Sequence, residues 1–189
     1  MDAFLVATGI VALAEIGDKT QLLSLVLAAR YKRPWPIILG IFVATLANHA
    51  LAGAVGNWLT ALMGPVVLRW TLGVSFLAMA VWMLIPDKLD DGETQTAPRF
   101  GVFGTTLMVF FLAEMGDKTQ VATVALAARY PDLLAVVAGT TLGMMIANVP
   151  AVLAGEKLAA KLPTRPLHAL AAAIFAALGL YALWGGVGA

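Results

Sequence analysis

The sequence predicts an all-α integral membrane protein, six transmembrane helices arranged as two inverted-topology three-helix repeats, and three observations carry that prediction. The 189-residue chain is 61% hydrophobic and only 12% charged, with mean hydropathy +0.89, which leaves too little polar surface for a soluble domain. Apolar stretches long enough for a hydrocarbon core of about 30 Å run over 3–29, 36–58, 65–86, 100–128, 133–156 and 167–187. Their apolar residues are continuous, where the strands of a membrane barrel would alternate over roughly ten residues. Finally, the halves are copies. Ala14 to Gln21 matches Ala113 to Gln120 at all but one position, Leu27 to Tyr31 matches Leu126 to Tyr130 through a shared Leu-Ala-Ala-Arg-Tyr, and Gly40 matches Gly139. Three spans per copy is an odd number, so the second copy must cross from the opposite face, an arrangement that places a site at the midplane between copies.

Taken in order, the first span carries Glu15-Ile16-Gly17-Asp18-Lys19-Thr20-Gln21 at its middle, and the second carries Asn48 and His49. The third closes repeat one, residues 1–86. The linker 87–99 follows, polar and turn-rich with Asp90, Asp91, Gly92, Glu93 and Pro98, and reads as a hinge or tether. Repeat two, 100–189, opens on the span holding Glu114-Met115-Gly116-Asp117-Lys118-Thr119-Gln120. The next span places Asn148 opposite Asn48 after a one-residue slip, with Val149 where His49 stood. Orientation follows from the basic residues of the connections. Arg30, Lys32, Arg33, Lys88, Arg99, Lys157, Lys161 and Arg165 share one face, against Arg69 and Arg129 on the other, so the first face is cytoplasmic and both termini lie outside. Met1 to Leu5 carries Asp2 and no basic residue, so no cleavable signal peptide is expected.

The two motifs put six ionisable groups at bilayer depth. At about 2.5 to 3.5 kcal/mol per charge the penalty is on the order of 15 kcal/mol before any pairing, which points to a function. Were the first span a continuous helix, Glu15, Asp18 and Lys19 would share one face. Gly17 and Gly116 remove the side chain between the two acids, which lets a partner backbone approach or the helix open locally and free carbonyl oxygens as ligands. Glu15, Asp18, Glu114 and Asp117 are the candidate cation ligands, with Lys19, Thr20, Gln21, Lys118, Thr119, Gln120, Asn48 and Asn148 in support. Each copy contributes two carboxylates and one ammonium, so the fully ionised pair carries −2, which one divalent cation or two protons would neutralise. Each lysine is expected to neutralise its own aspartate, leaving the glutamates to carry protons. Oxygen ligands without cysteine, and only His49 and His168 as imidazoles, favour manganese, calcium or magnesium over copper or structural zinc. His49 is expected to be structural in preference to a proton relay, and Met144 and Met145 to be gap-filling core residues and not ligands.

Two copies of Glu-x-Gly-Asp-Lys-Thr, each in the first span of a three-helix repeat, resemble the family of manganese/calcium exchangers with bacterial manganese exporters and Golgi and chloroplast relatives. The resemblance covers the whole chain. It implies a secondary transporter of the bacterial inner membrane that moves manganese(II) or calcium(II) out of the cytoplasm against protons, uses no cofactor, and lines its cation site with Glu15, Asp18, Glu114 and Asp117.

An exporter of amino acids or similar small solutes, of like three-plus-three architecture, is the alternative reading. It would need a cationic pocket for a carboxylate, whereas acids outnumber bases two to one in the motifs. A membrane enzyme acting on lipid phosphate would want Arg or His beside a nucleophile, and no span centre offers that set. A net charge of +1 without a basic run gives no footprint for nucleic acid. The partners expected are a divalent cation, protons and the lipid bilayer, and nothing in the sequence sets an oligomeric state.

Overall fold

The computed structural model describes residues 2–85, 100–154 and 164–186. Among these residues every regular element is helical: α1 (Asp2–Glu15), α2 (Lys19–Tyr31), α3 (Pro34–Leu62), α4 (Pro65–Trp82), α5 (Gly101–Glu114), α6 (Lys118–Arg129), α7 (Leu133–Ala154) and α8 (Thr164–Tyr181), closed by a π-turn at Ala182–Gly186. The linker 87–99, with Lys88 and Arg99, and also Lys157 and Lys161, lie outside the described residues.

Local chemistry sets the helix ends. Pro34 and Pro65 occupy first-turn positions of α3 and α4, where the missing N–H has no intrahelical partner to lose. Lys32 ends α2 in the left-handed region, φ 51°, with its N–H returned to the Ala28 carbonyl at 3.0 Å. Segments containing α3, α4, α7 and α8 are long and apolar enough to cross a membrane. The stretches 3–29 and 100–128, expected as single spans, are each broken in two, at Ile16–Asp18 and Met115–Asp117.

The molecule is apolar outside and polar within, the distribution a lipid solvent imposes. Trp35, Trp58, Val66, Val81 and Leu134 are exposed, while Glu15, His49, Glu114, Lys118 and Asn148 are completely buried. Helix α1 packs along α7, and α5 packs along α3. These contacts are counterparts at an offset of 99 residues. A β-carbon on Gly139 would come within 2.6 Å of the Phe4 carbonyl and 3.0 Å of the Ala7 β-carbon; one on Gly40 would come within 3.0 Å of the Phe103 carbonyl and 2.8 Å of the Thr106 β-carbon. Gly139→Ala is therefore expected to lower stability in detergent by about 1 to 3 kcal/mol, read as a fall in melting temperature, because backbone must move to admit the methyl group. Phe76 of α4 meets its own counterpart, Phe175 of α8, with ring centroids 6.1 Å apart.

One arrangement breaks the reciprocity. Helix α4 packs against α6, and α8 against α1, whereas α8 with α2 and α4 with α5 make at most marginal contact. The α4–α8 pair is thus seated on one side of the two breaks.

Candidate cation site at two helix breaks

The repeated motif is a recipe for interrupting a helix. Glu15 and Glu114 are the last residues of α1 and α5. Gly17 and Gly116 follow with φ of 87° and 77°, a conformation that side chains disfavour and glycine adopts freely. Asp18 and Asp117 then stand at the N-cap positions of α2 and α6, in extended conformation, and neither side chain caps its helix. The glutamine three residues on takes part of that work: Gln21 Oε1 accepts from the Gly17 N–H at 2.8 Å, and Gln120 Oε1 from the Gly116 N–H at 2.7 Å. Neither carboxylate is spent on capping the backbone of its own helix. Each break also turns a half-helix carboxyl end and a half-helix amino end inward, the pattern used for ion sites inside membranes.

The two breaks come together. Ligand oxygens of Glu15, Asp18 and Asp117 lie within 4.8 Å of one another, and all three residues are buried. Opposite ligands on one manganese- or calcium-sized ion stand about 4 to 5 Å apart, so this cluster suits a single cation. Both Glu15 oxygens are buried without a hydrogen bond among the described residues. Asn148 lies alongside, but its amide is donated to the Met144 carbonyl at 3.1 Å and sulfur at 3.0 Å, and its oxygen accepts from Ser24 at 2.6 Å. Glu114 sits outside the three-carboxylate cluster. Its Oε1 is 3.3 Å from His49 Nε2, and its Oε2 accepts from Asn48 Nδ2 at 3.3 Å.

The lysines correct an expectation. Instead of each serving its own aspartate, the ion pairs cross between copies: Lys19 Nζ is 3.7 Å from Asp117 Oδ1, and Lys118 Nζ is 3.7 Å from Asp18 Oδ1. The cause is the break itself. Each aspartate is an extended N-cap residue and each lysine the first helical residue, so the two project in different directions and each meets a partner from the other copy. The pairs are also unequal, since Lys118 is fully buried and donates to the Ile85 carbonyl at 2.9 Å, while the Lys19 side chain is 20% exposed.

The supporting residues divide similarly. Thr119 donates to Asp117 Oδ2 at 3.4 Å, while the buried Thr20 hydroxyl makes no hydrogen bond among the described residues. Gln21 donates to the Ala147 carbonyl at 2.9 Å and is buried, but Gln120 donates to Asn48 Oδ1 at 3.3 Å at the edge of a groove. That groove, about 350 Å³, lies between α3, the end of α5 and α6; Leu51, Val55, Phe111 and Val124 line it, and Asn48 and Gln120 are its polar members. It stops one residue short of Glu114, which Asn48 covers.

His49, for which the sequence offers a structural role or a proton relay, faces a motif carboxylate. Two participants escaped the sequence reading. Ser24 orients Asn148, a role its counterpart Thr123 hints at only as another hydroxyl in an apolar helix. His168, at the start of α8, places Nε2 2.7 Å from the Ile16 carbonyl that the first break exposes, a contact no local pattern signals.

A family model described as divalent cation/proton antiporter GDT1 matches residues 3–91 and 102–189. A provisionally named manganese exporter of Vibrio cholerae serotype O1 is 52% identical over 181 residues, covering 95% of this chain and 90% of that protein. GDT1-like protein sll0615 of Synechocystis is 26% identical, covering 97% of this chain and 98% of its own length. GDT1-like protein 3 of rice is 28% identical, covering 92% and 71%. No solved structure matches the chain significantly. The chain belongs to the GDT1 family of divalent cation/proton antiporters, and is a membrane transporter and not an enzyme.

Proposed function

We propose that the protein exports divalent cations from the cytoplasm across a bacterial inner membrane in exchange for protons, with manganese(II) the first candidate cargo and calcium(II) the second. The observation that carries the reading is the cluster of Glu15, Asp18 and Asp117 oxygens, within 4.8 Å of one another, where the two broken helices meet. Glu114 supplies the fourth carboxylate beside it. Four carboxylates and two ammonium groups sum to −2, a charge that one divalent cation or two protons cancel. The same chamber therefore suits either cargo in turn and is unfavourable to both together. Hard oxygen donors match manganese and calcium, and family membership displaces the organic-solute alternative.

In this reading α1 with α2, and α5 with α6, are each one interrupted span. They complete six crossings in two copies of opposite topology, joined by the linker 87–99 on the cytoplasmic side, with both termini outside. The matching approaches of Gly40 to Phe103 and Thr106 and of Gly139 to Phe4 and Ala7, and the meeting of Phe76 with Phe175, support a two-fold relation between copies. The excess of basic residues on one face supports the orientation. The groove ending at Asn48 and Gln120 then approaches Glu114 from the external side.

The test is flux in proteoliposomes. Manganese is expected to move with a rate set by an imposed pH gradient, and Glu114→Gln to slow it at least about tenfold, since one proton-accepting charge is gone. No manganese or calcium movement under any gradient would overturn the assignment.

A further inference from the structure

Lys118 does more than balance charge. Its buried ammonium spans two elements: Asp18 at the first break, 3.7 Å away, and the carbonyl of Ile85 just past the end of α4, 2.9 Å away. His168 makes a parallel tie from α8 to the first break through the Ile16 carbonyl. Together they hold the α4–α8 pair against α1 and α6, the side on which it packs. At the offset of 99 residues, Met83–Ile85 corresponds to Ala182–Trp184, the π-turn that ends α8. The counterpart of the Lys118 tie would run from Lys19 to the Trp184 carbonyl. Among the described residues Lys19 makes no such bond, and its one ion pair is to Asp117. The chain thus has two equivalent tether positions, and one is engaged.

Resting on the exchange reading above, we propose that Lys118 is a positioning residue that locks the empty transporter: it ties α4 to Asp18 only while Asp18 carries no cargo. An ammonium has three donors and one charge, so it can bond Ile85 and pair with Asp18 at once. A divalent cation held by Asp18 takes up the carboxylate that pairs with the ammonium and repels the ammonium as well. The repelled ammonium then leaves the Ile85 carbonyl as well as Asp18, the end of α4 is released from α6, and Lys19 can take the Trp184 carbonyl on the far side. An exchanger needs this selectivity, because a carrier whose empty site also reorients lets the cation run downhill with no proton returning.

The experiment measures protons moved per manganese moved in proteoliposomes for the native chain, Lys118→Gln and Lys118→Arg. Lys118→Gln is expected to lower that ratio at least twofold whatever its rate, and Lys118→Arg, which keeps the charge and the donors, to restore it. An unchanged ratio in Lys118→Gln overturns the tether while leaving the exchange reading standing. Absence of manganese flux in the native chain overturns both. Should Lys118→Gln not fold, the native lysine serves. The chain has no cysteine, so Leu84→Cys, an exposed position beside Ile85, gives a single thiol. Manganese is expected to change its maleimide labelling rate at least twofold, and an unchanged rate overturns the proposal.

Discussion

Glu15→Gln is expected to abolish manganese transport and, at the same time, to raise the thermal stability of the cation-free protein. The two effects have one cause. Glu15 is fully buried, its oxygens make no hydrogen bond among the described residues, and it stands within 4.8 Å of two further carboxylates. A group placed so destabilises the empty fold, and replacing a poorly compensated buried charge by a neutral side chain of like shape gains about 1 to 3 kcal/mol. That gain is read as a higher melting temperature in detergent. The opposite sign holds for function, where the loss of one of three clustered anionic ligands lowers cation affinity on the order of 10- to 100-fold or more. A ligand at a hundred times its dissociation constant stabilises a protein by about 2.7 kcal/mol, so manganese is expected to raise the melting temperature of the native chain and not that of Glu15→Gln. A variant that melts lower than the native chain and still shifts with manganese would show that Glu15 is structural glue.

The second large effect follows from the crossed ion pairs. Asp18→Asn leaves the completely buried Lys118 ammonium without its partner carboxylate, and stranding a buried charge costs about 3 to 5 kcal/mol. The pairing is with the other copy, so Lys118→Met should restore much of the stability lost in Asp18→Asn, and Lys19→Met should not. A double-mutant cycle on melting temperatures separates the two, with a coupling of about 1 kcal/mol or more expected for Asp18 with Lys118. Additivity for Asp18 with Lys118, together with coupling of Asp18 to Lys19, would instead place each lysine on its own aspartate. The pair of Lys19 and Asp117 should couple more weakly, because Lys19 is partly exposed and screened.

Local sequence was enough for much of this protein. Hydrophobic length marks a membrane protein, and the duplicated Glu-x-Gly-Asp-Lys-Thr-Gln segment is where charges stand among apolar stretches and where both helices break. The glycines permit the interruption, with positive φ at Gly17 and Gly116, although hydrophobic length by itself reads 3–29 and 100–128 as single spans. These features depend on residues next to one another in the chain, and on one solvent, so a sequence displays them directly. What packing alone decided lies across the 99-residue offset. It selected Asp117 over Asp18 as the partner of Lys19, set His49 beside Glu114, drew Glu114 apart from the other three carboxylates, and seated α4 and α8 on one side of the breaks. Two nearly identical motifs carry identical local preferences, so nothing within either copy can state which lysine crosses to which acid or which tether closes. That asymmetry belongs to the way the copies meet.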